Sequence, residues 1–168
     1  GGIQIAAGLG SINARGGNAA SSYAQVGHGG GLSGADSLAG DILVRSRGDV
    51  VFERGRGNVD GAYAMIGHGG SGALGSKAGN LTVESSAGDI LFGTSADATG
   101  RSAVQIGHGG RDGSGDTSGN IRVSAAGDLL FHGVLGNGNA LHREGYAQIG
   151  HGGRGNRGNH GNAVDLID

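Results

Sequence analysis

The chain has 168 residues, of which 42 are glycine, and it contains neither proline nor cysteine. Its net charge of -2 provides no basic surface for nucleic acid or for an anionic membrane. The lack of Cys excludes thiolate metal sites and Cys nucleophiles. No apolar segment is long enough to span a bilayer. The composition therefore predicts no nucleic-acid partner, no membrane insertion and no cysteine chemistry.

One eight-residue phrase, Tyr-Ala-Gln-Val-Gly-His-Gly-Gly, occupies residues 23–30 and returns in close variants at 63–70, 103–110 and 146–153. A second phrase, Gly-Asp/Asn-apolar-x-apolar, opens each unit, and its copies start 39 to 42 residues apart. Repetition at this spacing indicates a solenoid, a propeller or an array. Because the chain begins and ends within repeats, we interpret it as a piece of a longer protein. The predicted repeats are 1–39, 40–78, 79–118 and 119–160, with a partial repeat at 161–168.

Each repeat predicts three β-strands in chain order. The stretches are rich in β-formers, alternate with a period of two, and are bounded by Gly, Asn, Asp or Ser. None has a helical period of apolar residues. The first strand is predicted over 3–6, 42–45, 81–84 and 121–124. The second is predicted over 12–14, 50–53, 90–93 and 129–132, and the third lies in the Tyr-Ala-Gln-Val phrase.

Alternation places two apolar side chains of each strand on one face, as with Ile42 and Val44 or Val50 and Phe52. Equivalent positions hold the same residue class in every repeat, which is what stacking of like on like requires. The sequence therefore predicts an all-β parallel β-helix (β-solenoid), a single segment over 1–168. It has about one three-stranded coil per repeat, adjacent coils roughly 4.8 Å apart, and Gly-rich loops.

Two other architectures compete with this prediction. A propeller needs about four strands per repeat, and the sequence offers three. Two coils of about 20 residues per repeat would require strands in Gly-rich segments that lack apolar alternation. We favour one coil per repeat with two long loops. The first loop is predicted at 55–61, 94–101 and 133–144, and the second at 31–39, 71–78, 111–118 and 154–160.

The tandem units Gly-Asn-apolar-x-Val, Gly-Asp-Ile-x-Phe and Tyr-Ala-Gln-Ile-Gly-His-Gly-Gly resemble repeats of giant bacterial exoproteins across the whole chain. These are the filamentous-haemagglutinin-like proteins of two-partner secretion and related large surface adhesins. The resemblance implies a right-handed β-helical shaft at the bacterial cell surface or outside the cell, with a role in adhesion. It carries over no catalytic residue and no cofactor.

A column of histidines follows the inward Val or Ile of the third strand by two positions. Its members are therefore predicted to point to the core side of a corner, one coil apart. They could bind Zn, Ni or Cu, or form a structural ladder of neutral rings bonded to turn carbonyls or to each other. A metal needs convergent ligands, whereas a column offers one ligand per coil along a line, so we favour the ladder. The column comprises His28, His68, His108 and His151.

A second column of acidic residues precedes the second strand at Asp49, Asp89 and Asp128, with Ser11 in the first repeat. Stacked carboxylates repel one another unless they are solvated, bonded to turn N–H groups or bridged by Ca²⁺. Calcium loops of the nonapeptide type need Gly-Gly-x-Gly-x-Asp at a period of nine, which this chain only approaches. Turn capping is therefore favoured over calcium binding.

Two outward columns are predicted on the surface. Val51, Leu91 and Leu130 form an apolar column on the second strand, which either the following loop or another solenoid must cover. An aromatic column on the third strand, broken by Ala103, is expected either to bind sugars or to stack from coil to coil, and we favour stacking. The aromatic column comprises Tyr23, Tyr63 and Tyr146.

The expected function is a structural or adhesive shaft segment of a secreted or cell-surface fibre, associating end to end, and not an enzyme. Its expected partners are neighbouring copies or flanking repeats of itself, and host, cell-surface or matrix glycans. One alternative is a carbohydrate-active β-helix enzyme or tailspike-like protein, which needs a cluster of carboxylates or basic residues that breaks the repeat. The other is a metal- or calcium-binding surface module.

Overall fold

The strands of the solenoid pair in parallel, each with its counterpart one repeat away. A computed structural model describes residues 1–58, 60–93, 98–99, 103–132, 145–161 and 164–166. Ile3 pairs with Ile42, Ile42 with Leu81, and Leu81 with Ile121. The predicted all-β parallel solenoid, with one coil per repeat, is confirmed. No helix among the described residues has the length and hydropathy of a membrane span.

Three sheets form the walls, and all three strands predicted for each coil are present. Sheet A contains β1 (Ile3–Ala7), β5 (Ile42–Ser46), β10 (Leu81–Ser85), β15 (Ile121–Ala125) and β18 (Val164–Leu166). Sheet B contains β2 (Ile12–Arg15), β6 (Val50–Glu53), β11 (Ile90–Gly93) and β16 (Leu129–Phe131). Sheet C contains β3 (Ala24–Val26), β8 (Ala64–Ile66), β13 (Ala103–Ile106) and β17 (Tyr146–Ile149). Coils 1 to 4 denote the turns of chain that start with β1, β5, β10 and β15.

Short strands also form within segments for which the sequence predicts only loops. Leu38 pairs with Lys77, and Lys77 with Thr117. Strands of two or three residues carry no readable alternation, so only the neighbouring coil defines them. Most of the predicted loop 94–101, all of 133–144 and part of 161–168 lie outside the described residues. The short strands are β4 (Ser37–Ala39), β9 (Ser76–Ala78) and β14 (Thr117–Ser118) in sheet D, and the pair β7 (Gly57–Asn58) and β12 (Ala98–Thr99).

The core fills the narrow space between sheets A, B and C with the residues that alternation places inward. Phe52 stacks on Phe92 with ring centroids 5.1 Å apart, and Phe92 on Phe131 at 5.4 Å. Like side chains thus lie on like from coil to coil, and burial of their apolar surface drives folding. The buried members are Ile42, Val44, Val50, Phe52, Ala64, Ile66, Leu81, Val83, Ile90, Phe92, Val104, Ile106, Ile121 and Val123.

Candidate functional site

The end of each sheet C strand forms a corner at which successive coils approach closely. Gly67, directly after β8, has a φ of 151°, in the region that side-chain-bearing residues rarely adopt. A Cβ on this residue would overlap the carbonyl oxygen of Gly107 in the next coil. Glycine at this position therefore lets the backbones of adjacent coils meet just before each histidine.

The four histidines stack at this corner. The centroids of the His28 and His68 rings are 4.8 Å apart, those of His68 and His108 are 4.7 Å apart, and those of His108 and His151 are 4.9 Å apart. The planes of adjacent rings differ by at most 12°. His68 and His108 are fully buried. The geometry is a continuous ladder of rings, one per coil.

Hydrogen bonds fix both nitrogens of the His68, His108 and His151 rings and Nε2 of the His28 ring. The backbone N–H of His28 donates to Nδ1 of His68 (3.0 Å), that of His68 to Nδ1 of His108 (3.0 Å), and that of His108 to Nδ1 of His151 (3.1 Å). Because Nδ1 accepts a hydrogen bond, the ring proton lies on Nε2. In each coil Nε2–H donates to the glycine carbonyl that precedes sheet A. These carbonyls belong to Gly1, Gly40, Gly79 and Gly119, at 2.6–2.9 Å.

The surroundings of the ladder keep three of its rings neutral. Burial, with smaller effects of the His68 and His151 rings and of Lys77, lowers the pKa of His108 to about 3 against the opposing effect of the Gly79 carbonyl. Burial also lowers the pKa of His68 and of His151. Both nitrogens of these three rings are occupied, so neither is free to coordinate a metal. Among the described residues, no three His, Cys, Asp or Glu side chains converge on a point that a metal ion could occupy.

The acidic column caps the turn before sheet B. The N–H of Asp49 donates to Oγ of Ser11 (2.9 Å), that of Asp89 to Oδ1 of Asp49 (2.9 Å), and that of Asp128 to Oδ1 of Asp89 (2.8 Å). Each side chain therefore accepts a hydrogen bond from the backbone of the following coil. The sequence predicts capping of a turn but does not indicate this partner. Charge-assisted bonds of this kind favour turn capping over a bridging calcium ion.

A second row of hydrogen-bonded side chains lies just before sheet A, and it was not predicted from the sequence. The N–H of Asn80 donates to Oδ1 of Asp41 (2.7 Å), and the N–H of Asn120 donates to Oδ1 of Asn80 (3.1 Å). The signal was present in the Gly-Asp/Asn phrase that opens each repeat. An amide or a carboxylate works equally well here because only the acceptor oxygen is used.

The tyrosine column lies flat along the wall and does not project into solvent. The rings of Tyr23 and Tyr63 stack with centroids 4.6 Å apart and planes 3° apart. Tyr23 is 41% exposed but Tyr63 only 6%, so the expectation of a surface position is wrong for Tyr63. The reason is that each hydroxyl turns over a glycine of its own coil, as Tyr63 does over Gly70. Burial raises the pKa of Tyr63, and raises that of the half-buried Tyr146 to about 12.

Each buried tyrosine bonds to a glutamine of the coil before it. The Tyr63 hydroxyl donates to Oε1 of Gln25 (3.2 Å), and that of Tyr146 to Oε1 of Gln105 (3.3 Å). The amide of each glutamine donates across the coil boundary as well. Gln25 Nε2 reaches the carbonyls of Gly67 (2.9 Å) and Gly69 (2.5 Å), and Gln105 Nε2 reaches those of Gly150 (3.0 Å) and Gly152 (2.6 Å). These tyrosine–glutamine pairs are invisible in the sequence because their members belong to different repeats.

One such pair is missing as a unit between coils 2 and 3. Met65 takes the glutamine position in coil 2, and Ala103 takes the tyrosine position in coil 3. A thioether neither donates to carbonyls nor accepts well from a hydroxyl, and Ala103 offers no hydroxyl. Both members of one pair are thus replaced together, although they lie 38 residues apart in the sequence.

The apolar column on sheet B is half-buried at all three positions. Val51 pairs with Leu91, and Leu91 with Leu130. Coil 1 carries Asn13 at the same register position. The apolar column therefore runs through coils 2 to 4. Unlike the histidine column, it varies in residue type and does not extend to coil 1.

Lys77 in sheet D is a buried cation that sequence reasoning missed. It is 1% exposed, and its Nζ donates to the carbonyls of Ala73 (3.0 Å) and Ser114 (2.7 Å). Burial lowers its pKa. The neighbouring coils have Leu38 and Thr117 in register with it, so no repeated residue type marked this column as inward.

No protein-family model, curated protein or solved structure matches this chain. The fold and the geometry of its columns are therefore the basis for any functional proposal, and the resemblance to surface adhesins stays a prediction.

Proposed function

We propose that this chain is a structural shaft segment of a secreted or cell-surface bacterial fibre. The observation that carries the proposal is that its chemically versatile side chains bind the adjacent coils. Nδ1 of His108, Oδ1 of Asp89 and both polar atoms of the Gln105 amide are used in this way, while Nε2 of His108 binds Gly79 of its own repeat. In an enzyme such groups would face a substrate, whereas here they bind one coil to the next.

The arrangement suits a stiff rod. Each coil is a template for the following one, and each adds roughly 4.8 Å of length. Bending the rod at one coil boundary would strain rows at two corners of the same cross-section together: the aspartates between sheets A and B, and the histidines and asparagines between sheets C and A. Length then scales with the number of repeats, which is what a shaft requires.

Adhesion would be a property of the loops between strands. Repeat length varies there, and side chains at their tips are exposed, as with Leu9 and Leu32. Loops on a rigid scaffold are the usual carriers of binding. In this proposal the shaft displays loops to neighbouring copies or to surface glycans, and it performs no catalysis.

The test is to lengthen the rod by design. Insertion of a second copy of residues 40–118 after residue 118 adds two coils in register. Small-angle X-ray scattering should show a longest dimension greater by about 10 Å at an unchanged cross-sectional radius. The matched control is the same insertion with alanine at both inserted histidines, which should lose the added length. A thicker cross-section, or an insert that stays unfolded, would contradict the proposal.

Location is tested separately. Antibodies raised against the 168 residues should label intact cells of the source bacterium. Labelling only after permeabilisation would contradict a surface role while leaving the rod intact.

A further inference from the structure

The missing tyrosine–glutamine pair leaves a slot in the wall of the solenoid. The slot is partly open and lies between the Tyr63 and Tyr146 rings, with Ala103 at its base. Met65, Gly110 and Arg111 also line it. Gly110 is the glycine over which a tyrosine of coil 3 would lie, as Tyr63 lies over Gly70 and Tyr146 over Gly153.

The register gives the slot its thickness. Tyr63 and Tyr146 belong to coils 2 and 4, so their rings are two coil steps apart, roughly 9.6 Å. In coils 1 and 2, where no ring is missing, Tyr23 and Tyr63 stack at 4.6 Å. One aromatic ring inserted midway would therefore stack on both faces at the spacing this wall already uses. The free space in the slot is about 20 Å³, which is less than a ring needs. A ring therefore enters only when Met65 and Arg111, the long unbranched side chains that line the slot, move aside and Arg111 gives up its ion pair with Asp112 (2.9 Å).

The lining also selects the chemistry of the ring. In the intact pairs the ring hydroxyl donates to a glutamine oxygen of the preceding coil. Here the side chain at that place is Met65, which contacts aromatic rings favourably but is a poor acceptor. A hydroxyl at this end would be buried without a good partner, whereas an unsubstituted ring edge would lie against the thioether.

We propose that this slot is a binding site for a phenyl-class ring, planar, aromatic and without a hydroxyl at its inner end. The ring comes either from a small aromatic molecule or from a Phe side chain of a peptide. The site stands independently of the shaft proposal, since it needs only the stacked wall and the paired replacement of glutamine by Met65 and of tyrosine by Ala103.

The experiment uses a single built-in reporter, because Met65 is the only methionine of the chain. The protein labelled with [methyl-¹³C]methionine gives one resonance from the lining of the slot. Titration with toluene should shift this resonance saturably through the ring current. Titration with p-cresol should require about tenfold higher concentration, because its hydroxyl loses water without a partner.

Two variants fill the slot and should abolish the effect. Ala103→Tyr and Ala103→Phe each place a ring there, so toluene should no longer shift the Met65 resonance. The Phe variant serves if the Tyr variant does not fold. No shift in the wild type up to the solubility limit of toluene, or an equal shift in a folded filled variant, overturns the proposal.

A third variant tests the selectivity. In Met65→Gln the slot stays open and regains an acceptor, so p-cresol should bind better than toluene, monitored at the Ala103 methyl group. An unchanged preference overturns the assignment of Met65. N-acetylphenylalaninamide distinguishes the sources: its binding at the slot supports a peptide Phe, and binding of toluene alone supports a small molecule.

Discussion

The histidine corner and the tyrosine face arise from the same eight-residue phrase, yet one is unbroken and the other is not. Four histidines stack, and in three of them both ring nitrogens are bonded to backbone groups. Of the four tyrosine positions one holds Ala103, and the matching glutamine position holds Met65. The two regions differ in what their side chains bind.

A histidine in this ladder satisfies backbone groups of two neighbouring strands, and these groups stay in place whatever residue replaces it. Loss of one ring therefore leaves a buried N–H and a buried carbonyl unpaired, which is costly. A tyrosine on the face bonds mainly to another side chain. Its loss can be matched by loss of the glutamine, which also gives up two backbone carbonyls of the following coil. Because an unpaired carbonyl is tolerated better than an unpaired N–H, the face tolerates a paired gap better than the corner does.

The largest expected effect that separates the two regions is acid sensitivity. Burial holds the pKa of His68, His108 and His151 below the unfolded value of about 6.5. The folded chain then binds fewer protons than the unfolded chain, so the free energy of unfolding falls as pH drops below about 6.5 and is retained above it. Tyr63 and Tyr146, whose pKa is raised by burial, do not titrate in this range.

Urea melts between pH 8 and pH 4 measure this dependence. The wild type should lose most of its stability across the range, and His108→Gln should lose less per pH unit because one buried imidazole is gone. A free energy of unfolding that stays flat below pH 6 would show that the ladder rings accept protons freely in the folded state.

Truncation of one side chain in each region is the next comparison. His108→Ala should destabilise by about 3–5 kcal/mol, since it removes a buried ring and leaves the His68 N–H and the Gly79 carbonyl unpaired. Tyr146→Ala removes a half-buried ring and leaves Oε1 of Gln105 without its hydroxyl partner, and it should cost about 1–2 kcal/mol. Chemical denaturation at pH 7.5 gives both values. Equal costs would remove the distinction between corner and face.

The strands and the inward face of the core could be predicted from sequence because alternation is local. Strands β5 and β6 are examples: within five residues, the alternation shows that Ile42 and Val44, or Val50 and Phe52, face inward. The stacking of histidines also follows from register alone. Sheet D could not be predicted, because Leu38, Lys77 and Thr117 share no residue type and lie in strands too short to alternate.

The inter-coil bonds were hidden for a different reason. Whether Gln25 faces solvent or the carbonyls of Gly67 and Gly69 depends on the path of the next coil, about 40 residues further along. The burial of Tyr63 likewise depends on how the ring turns over Gly70, which no alternation rule gives. A repeat in the sequence shows which residues stack in a column. It does not show in which direction their side chains point or which groups they bind.

A double-mutant cycle sharpens the idea of the paired gap. Met65→Gln alone buries an amide oxygen without its tyrosine, and Ala103→Tyr alone places a hydroxyl beside a thioether. Together they should restore the pair, with a favourable coupling of about 1–2 kcal/mol in the free energy of unfolding. The control cycle runs in reverse at an intact pair, Gln25→Met with Tyr63→Ala, and should show coupling of the same sign. If the effects of the single substitutions are additive in both cycles, the tyrosine and the glutamine do not stabilise the fold as a pair.

The smallest expected effect concerns the sheet D column of Leu38, Lys77 and Thr117, which has neither the constant residue type of the histidines nor the paired bonds of the tyrosines. Lys77 is buried in register with Leu38, and burial lowers its pKa from 10.5. Because the folded chain binds this proton more weakly than the unfolded chain, Lys77 lowers stability at pH 7 relative to pH 10.5. Lys77→Leu removes that cost but also the bond to the Ser114 carbonyl, while the Ala73 carbonyl keeps the Ser114 N–H.

We therefore expect Lys77→Leu to raise the free energy of unfolding at pH 7 by about 1 kcal/mol or less, as replacement of buried charges by apolar side chains often does. The advantage over wild type should shrink toward pH 10.5, where the ammonium no longer has to be buried in its charged form. Lys77→Met, of similar length, is the control for shape. If both variants lose about 2 kcal/mol at pH 7, the two carbonyl bonds outweigh desolvation, and sheet D resembles the histidine corner, where bonds from side chains to backbone groups stabilise the stack.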